Sequence, residues 1–368
     1  MQIVKASRDA LLKPLTTVSG IVERRHTLPI LANLLMRKTG EVISFLATDI
    51  EIQITTHGNF AAGSEDIATT VAARKLLDIL RALPESGEVT LSHANKKLTV
   101  QSGKSRFQLS TLEASDFPTV AQPEVWGAQL SLTQKSLKHL LSMVYFSMAQ
   151  QDIRYYLNGL LFVTDGNHVR AVATDGHRLA FCQATVETDL PKQEVIIPRK
   201  TILELMRLLE ENDEPVQIAV APNQIKFNFA SIELISKLVE GKFPDYNRVI
   251  PQGHTKTFVI DRALLQSALQ RVAILTSDKF KGVRWAIENG ALKISSTNAD
   301  QEEANEELDI DWPHEPIDIG FNVSYLLDVL ANLKTQNVQI ALSDPNASVL
   351  LTLPDNTDFK YVVMPMRI

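Results

Sequence analysis

One cysteine, Cys182, in 368 residues permits no internal disulfide. It suits a reducing compartment and reads as a small buried hydrophobe rather than a nucleophile. No apolar run approaches the roughly 18 residues of a membrane span. The opening Met1-Gln2-Ile3-Val4-Lys5-Ala6-Ser7-Arg8 lacks a charged-then-greasy leader. These absences predict a cytoplasmic chain with no membrane partner. Catalytic signatures are missing as well. Gly103-Lys104-Ser105 matches the end of a phosphate-binding loop, but the upstream glycine it requires is Leu98. There is no G-x-S-x-G elbow and no H-E-x-x-H, and the eight histidines lack ligand spacing. Thr174-Asp175-Gly176-His177-Arg178 is the most enzyme-like string. It reads first as a tight Asp-Gly turn between strands, with the polar rim of a binding pocket left open. The acids from Asp300 to Asp311 read as an outer strand or interface, on the alternation Leu308-Asp309-Ile310-Asp311, rather than as a divalent-metal site. We therefore expect no catalysis, no cofactor and no metal, and binding or scaffolding gains weight.

What is present is repetition. Ala73-Arg74-Lys75-Leu76-Leu77-Asp78-Ile79-Leu80 is echoed by Pro198-Arg199-Lys200-Thr201-Ile202-Leu203-Glu204-Leu205 and, more weakly, by Val323-Ser324-Tyr325-Leu326-Leu327-Asp328-Val329-Leu330. Arg74, Arg199 and Ser324 are spaced by 125 residues each time. Thr48-Asp49, Thr174-Asp175 and Thr297-Asn298 keep the period. So do Phe117-Pro118, Phe243-Pro244 and Met364-Pro365. The period is too long for a solenoid repeat, so each unit should carry its own core. Turn-rich linkers near 120–127 and 250–256 set the expected domains at 1–122, 128–251 and 255–368. Each domain reads alike: a helix (8–22, 133–149, 261–276), alternating strands (41–56, 168–183, 291–311), a second helix (73–83, 198–211, 323–333) and closing strands. The second helices share an apolar stripe: Leu77, Leu80 and Leu83; Ile202, Leu205 and Leu208; Leu327, Leu330 and Leu333. Two helices on antiparallel sheet, three times over, is an α+β fold.

The net charge of −6 argues against nucleic acid, but its distribution does not. Arg74, Lys75 and Arg81 share one helix; Lys135, Lys138 and His139 another; Arg199, Lys200 and Arg207 a third; Arg262 and Arg271 a fourth. Lys279, Lys281, Arg284 and the loop Glu23-Arg24-Arg25-His26 add to them. Scattered cations on one helix merely solvate it. The same bias in equivalent places of three units predicts a basic surface suited to phosphates without sequence reading.

With these features in place, the chain resembles the bacterial DNA polymerase III beta subunit family, the sliding clamps, over its full length. The matching stretches are Leu28-Pro29-Ile30-Leu31, Ser102-Gly103-Lys104-Ser105-Arg106-Phe107, Arg154-Tyr155-Tyr156-Leu157-Asn158-Gly159, Ala173-Thr174-Asp175-Gly176-His177-Arg178-Leu179, Ser236-Lys237-Leu238-Val239, Phe243-Pro244-Asp245-Tyr246, Gly320-Phe321-Asn322-Val323-Ser324-Tyr325 and Tyr361-Val362-Val363-Met364-Pro365-Met366-Arg367. The resemblance implies a head-to-tail dimer around double-stranded DNA, opened by a clamp loader. It also implies a tether for replicative and translesion polymerases, mismatch repair factors and ligase. Helix width supports the dimer independently. Six helices about 10 Å wide enclose a hole of roughly 9 Å, and twelve enclose roughly 28 Å, against a duplex of roughly 20 Å.

By the same resemblance, Arg25, Arg74, Gln151, Tyr155, Tyr156, Lys200 and Lys281 face DNA; Tyr155 and Tyr156 read equally well as packing aromatics. A greasy groove falls to Arg154, Leu157, Thr174, Gly176, His177, Arg178, Leu179, Pro244, Arg248, Val249, Ser348, Val362, Met364, Pro365, Met366 and Arg367. Its soft methionines suit short peptide anchors, the alternative being that Met364 and Met366 fill the third core. The expected dimer contact sets Lys75, Lys104 and Arg106, with Ile79, Leu83, Phe107 and Leu109 as apolar fill, against Ile274, Leu275, Asp300, Glu302 and Glu303. Two rivals remain: a repair ring without polymerase partners, and a metal-dependent nuclease.

Overall fold

The structure, a computed structural model, describes residues 1–23, 28–60, 65–277 and 281–367. Its helices are α1 (Arg8–Ser19), α2 (Ala73–Ala82), α3 (Gln134–Ser142), α4 (Arg199–Leu208), α5 (Tyr246–Val249), α6 (Arg262–Ala273) and α7 (Val323–Asn332). All but the short α5 fall where the apolar stripes predict. The stripe of α2 buries Leu76, Leu77 and Leu80, that of α4 buries Ile202 and Leu205, and that of α7 buries Leu326, Val329 and Leu330. Each such leucine removed from water contributes about 2 kcal/mol. Side chains cap four of the starts: Ser7 accepts from the Ala10 N–H, Asp245 from Asn247, Asp261 from Leu264 and Asn322 from Ser324.

Four expected helices run too long: 8–22 ends at Ser19 and 261–276 at Ala273, and the other two stop for visible reasons. The stretch 133–149 is helical only to Ser142. Val144 then donates to Leu141, three residues back, and Tyr145–Ser147 forms a single tight turn. The second helix at 198–211 stops at Leu208, because the Glu210 N–H donates to the Gln134 side chain instead of continuing the ladder.

The chain divides into two compact units, Met1–Lys135 with Arg207–Leu238, and Ser136–Met206 with Val239–Ile368. The first holds a twelve-stranded antiparallel sheet. In it, Ile232–Lys237, from the second repeat, pairs with Ile52–Asn59 of the first, Leu234 opposite Ile54. The second unit holds a six-stranded and a four-stranded sheet. There Asn356–Val363, from the third repeat, pairs with Arg178–Pro198 of the second, Val362 opposite Leu179. One rule thus operates twice: the closing strand of a repeat adds to the strand that follows the Thr-Asx turn of the repeat before it.

The turns are also alike at atomic level. The Thr48 hydroxyl donates to the Ile52 carbonyl at 2.8 Å, and the Thr174 hydroxyl to the Arg178 carbonyl at 2.6 Å. Asp49 accepts from the Glu51 and Ile52 N–H groups; Asp175 accepts from His177 and Arg178. The third copy carries one residue more, and Asn298 accepts from Asp300 and Glu302. The string 174–178 is therefore a turn, closed by Thr174 opposite Leu179. Gly103-Lys104 is likewise a hairpin turn, with Ser102 opposite Ser105 and Gly103 at φ +53°. Residues 303–309 form the outermost strand of the four-stranded sheet, with Leu308 buried and the acids Glu303, Glu307 and Asp309 outward. Among the described residues no helix is long and apolar enough to cross a membrane, and no cluster of His, Cys, Asp or Glu could hold a metal.

Candidate functional site

A cavity of about 110 Å³ opens over the apolar core of the second unit. Leu157, Leu179 and Val362 belong to both the core and the cavity wall, with Tyr156 and Val249 packed against the same cluster. The strand pair 178–198 and 356–363 supplies Leu179 and Val362 from directly opposed positions. The Thr174–Arg178 turn supplies Thr174, Gly176, His177 and Arg178, and Arg154, Pro244 and Met364 complete the wall. Met364 is 41% exposed, so it borders the opening and does not fill the core.

Eleven of the sixteen expected groove residues meet here. Five do not line the cavity. Arg248 is exposed and pairs with Asp245 at 3.1 Å. The Ser348 carbonyl accepts from the His254 ring at 2.8 Å. Met366 turns its backbone into the Gly320 carbonyl, taking Pro365 and Arg367 along the sheet edge instead. One lining residue, Tyr156, was assigned to DNA. It is half-buried against the core, whereas Tyr155 is 57% exposed, so one tyrosine packs and the other is open to solvent. Their adjacency hid this, since neighbours on a tight turn point to different sides.

Charged groups build one rim. Arg178 donates to Asp175 at 3.0 Å, to Asp328 at 2.6 Å and to the Phe146 carbonyl at 2.7 Å, and lies over the Tyr325 ring at 4.5 Å. Burial alone would lower this guanidinium; Tyr361, Asp328 and Asp175 outweigh it, and it is held above its ordinary range. Every arm of Arg178 is engaged, so it holds the turn in place. Burial raises the Tyr361 hydroxyl, which donates to the Tyr325 carbonyl at 2.8 Å. Asp328 lies 150 residues from Arg178 in sequence, so local spacing gave no signal for the pair. Arg154 forks onto Asp152 at 2.8 and 3.0 Å and reaches the Asp175 carbonyl at 3.1 Å. Hydrogen bonds from Arg154 hold the Asp152 carboxyl down to about 2. Gly176 sits at φ +92°, and a Cβ there would come 2.9 Å from the Arg154 Nη1.

Three family models, described as the N-terminal, central and C-terminal domains of the DNA polymerase III beta subunit, match residues 2–121, 131–245 and 247–367. The chain belongs to the DNA polymerase III beta subunit family. It is made of three tandem clamp domains. A curated beta sliding clamp from Pseudomonas aeruginosa is 46% identical over 364 residues, covering 98% of both chains. Its counterpart from Escherichia coli K12 is 44% identical over 363 residues, again with 98% of both chains covered. A crystal structure of the P. aeruginosa sliding clamp bound to griselimycin superposes with a TM-score of 0.96 at 45% identity, over all of both chains.

Of the residues expected at DNA, Arg74 and Lys200 are each the second residue of their helix, α2 and α4. Arg74 is exposed and donates to the Val22 carbonyl at 3.0 Å; Lys200 is half-buried. Gln151 and Lys281 are exposed at φ +55° and +47°. Arg25 lies outside the described residues. At the expected dimer contact, Lys75, Lys104, Arg106, Asp300, Glu302 and Glu303 are exposed, Ile79, Leu109 and Leu275 are half-exposed, and Phe107 and Ile274 are 37% and 77% exposed. Leu83, at 6% exposed, closes α2 against its own domain in the single chain.

Proposed function

We propose that this chain is the sliding clamp of a replicative DNA polymerase and catalyses nothing itself. Two copies close head to tail around duplex DNA. Exposed cations exchange phosphates without reading bases, and the groove holds peptide tails of polymerases and repair factors. The observation that carries this reading is a pair of strands that each keep an open edge: Ser105–Leu112 pairs along one side with Lys97–Ser102 but on the other only through Thr111 and Leu112. Two closing strands already add to the repeat before them, which leaves the closing strand of the first repeat, Ser105–Leu112, and the receiving strand of the third, Glu303–Asp309. Ser105–Leu112 is exposed along most of its length, whereas its equivalent Ile232–Lys237 is not. Glu303–Asp309 ends its sheet. Uncovered strands invite pairing. Lys104 and Arg106 beside one, and the acids of the other, favour pairing between copies, with Phe107 and Ile274 as apolar contacts. Arg271 already holds Glu306 at 2.6 Å, so Glu302, Glu303 and Glu307 supply the charge.

The second-residue positions of Arg74 and Lys200 add helix-start N–H groups to the cations, an arrangement suited to phosphate. Gln151, Tyr155 and Lys281 are further DNA contacts in this reading, as is Arg25, which lies outside the described residues. We divide the chain at 1–122, 128–251 and 255–368 and assign it to the cytoplasm, associated with the nucleoid through DNA. A clamp loader opens the ring; replicative and translesion polymerases, mismatch repair factors and ligase use the groove. Native mass spectrometry with and without nicked circular DNA tests the whole: a dimer retained on the circle is expected. A salt-indifferent monomer at micromolar concentration overturns the ring. A polymerase-tail peptide should lose about tenfold in affinity to Met364→Asp; unchanged binding would remove the groove from the reading.

A further inference from the structure

The segment 150–158 presents an apolar side chain where none is needed for folding. Ile153 is 96% exposed, more than any other large hydrophobic residue among those described. It is not on a loose loop. The Asp152 N–H donates to the Asn158 side chain at 2.9 Å, and Asn158 returns a bond to the Asp152 carbonyl at 2.8 Å. The Asp152 carboxylate accepts the Arg154 N–H at 2.8 Å and both prongs of its guanidinium. Leu157 and Asn158 then donate back to Arg154 and Tyr155 in a tight turn seated on the core. These hydrogen bonds fix the backbone on both sides of a fully solvated isoleucine. An exposed Ile fixed in this way gains nothing in the isolated chain.

Its neighbours indicate what covers it. Gln150, Gln151 and Tyr155 are exposed on the same segment. A Cβ added at Gly241 would lie 3.4 Å from Tyr156 and 3.6 Å from Tyr155, so the exposed Lys242 sits beside the two tyrosines. The one acid of the segment, Asp152, is neutralised by Arg154, so the segment offers phosphates no repulsion. Amides, an aromatic ring, a lysine and an isoleucine form a surface for nucleic acid rather than for a basic protein.

We propose that Ile153 makes a non-polar contact with the sugars and groove wall of the duplex, and that the Asp152–Asn158–Arg154 brace exists to hold it there. The inference rests on the reading of the chain as a DNA-encircling clamp. Apolar contact is non-directional and carries no base register. It therefore adds attraction without trapping the ring at one sequence, which hydrogen bonds to base edges would do.

The test measures duplex affinity of the full-length protein across a salt series. Ile153→Ser should weaken binding about fivefold at every salt concentration with the slope of log affinity against log salt unchanged, because no counterion is released by an isoleucine. Ile153→Leu should retain wild-type affinity. The double variant Arg74→Ala/Lys200→Ala should instead flatten that slope, by about 0.9 for each phosphate it no longer neutralises. Thermal stability of Ile153→Ser should match wild type. Wild-type affinity in Ile153→Ser, or a loss confined to low salt, overturns the proposal. A defect limited to clamp-loader binding does so as well. If the double variant also leaves affinity and slope untouched, the DNA reading itself fails; if only Ile153→Ser is silent, the clamp stands and the apolar contact falls.

Discussion

The turns at 48–52 and 174–178 share one set of backbone bonds and differ in the side chains they carry. In the first, the left-handed position is Ile50, at φ +81°, and the last residue is Ile52, buried in the sheet. In the second, those places hold Gly176 and Arg178. The glycine lets Arg154 lie against the backbone, and the arginine ties the turn to Asp328. A repeated scaffold thus holds two outcomes: a closed structural corner, and a charged rim beside an apolar groove. The bonds that form the turn are common to both, so they confer no function. The difference lies in two side chains and the partners they reach.

The largest effect that would break this contrast is Arg178→Ala. It strands Asp175, Asp328 and the Phe146 carbonyl, and should cost about 3 kcal/mol in denaturant unfolding. Ile52→Ala, at the matching place, costs a similar amount through a cavity, but without altering peptide binding. Next is Gly176→Ala, expected to cost about 1–2 kcal/mol from its backbone angle and to displace Arg154. Isothermal titration should then show weaker peptide binding even where the protein stays folded. Smaller still is a pH effect. Asp152, down to about 2 from an ordinary 3.8, is stabilised by Arg154. A carboxyl lowered on folding stabilises above its unfolded value and loses that contribution as pH falls through its folded value. The brace should hold at pH 5 and release between about 4 and 2, with the carboxyl NMR shift titrating near 2. Arg154→Ala should return that midpoint toward about 4. The smallest effect is Ile50→Gly, which removes a β-branched residue from a left-handed angle and should raise stability by up to about 1 kcal/mol.

Much of this was legible in the sequence, for physical reasons that differ by feature. The second helices showed through Leu77, Leu80, Ile202, Leu205 and Leu330 because a helix against a sheet must bury one stripe. The Thr-Asx turns showed through their spacing because each is a local hydrogen-bonded unit. Eleven groove residues followed from family resemblance. The rest depended on long-range geometry. Nothing near Arg178 announces Asp328, and nothing in Tyr155-Tyr156 says which ring turns inward. The end of α3 was misplaced because Met143 and Val144 continue the apolar pattern while the backbone tightens. Leu83 is ambiguous in the sequence because an apolar residue at a helix end serves a core or an interface equally well.

Cys182 carries a practical consequence. Its thiol is buried, 2% exposed, and desolvation with the nearby Asp358 pushes it up to about 12. At neutral pH almost none of it is thiolate, so alkylating reagents and maleimide dyes should pass it by. The native chain is therefore a silent background for chemical labelling. A cysteine introduced at an exposed position such as Lys104 would be the only reactive one, and fluorophores could report the meeting of two copies without first stripping the natural thiol.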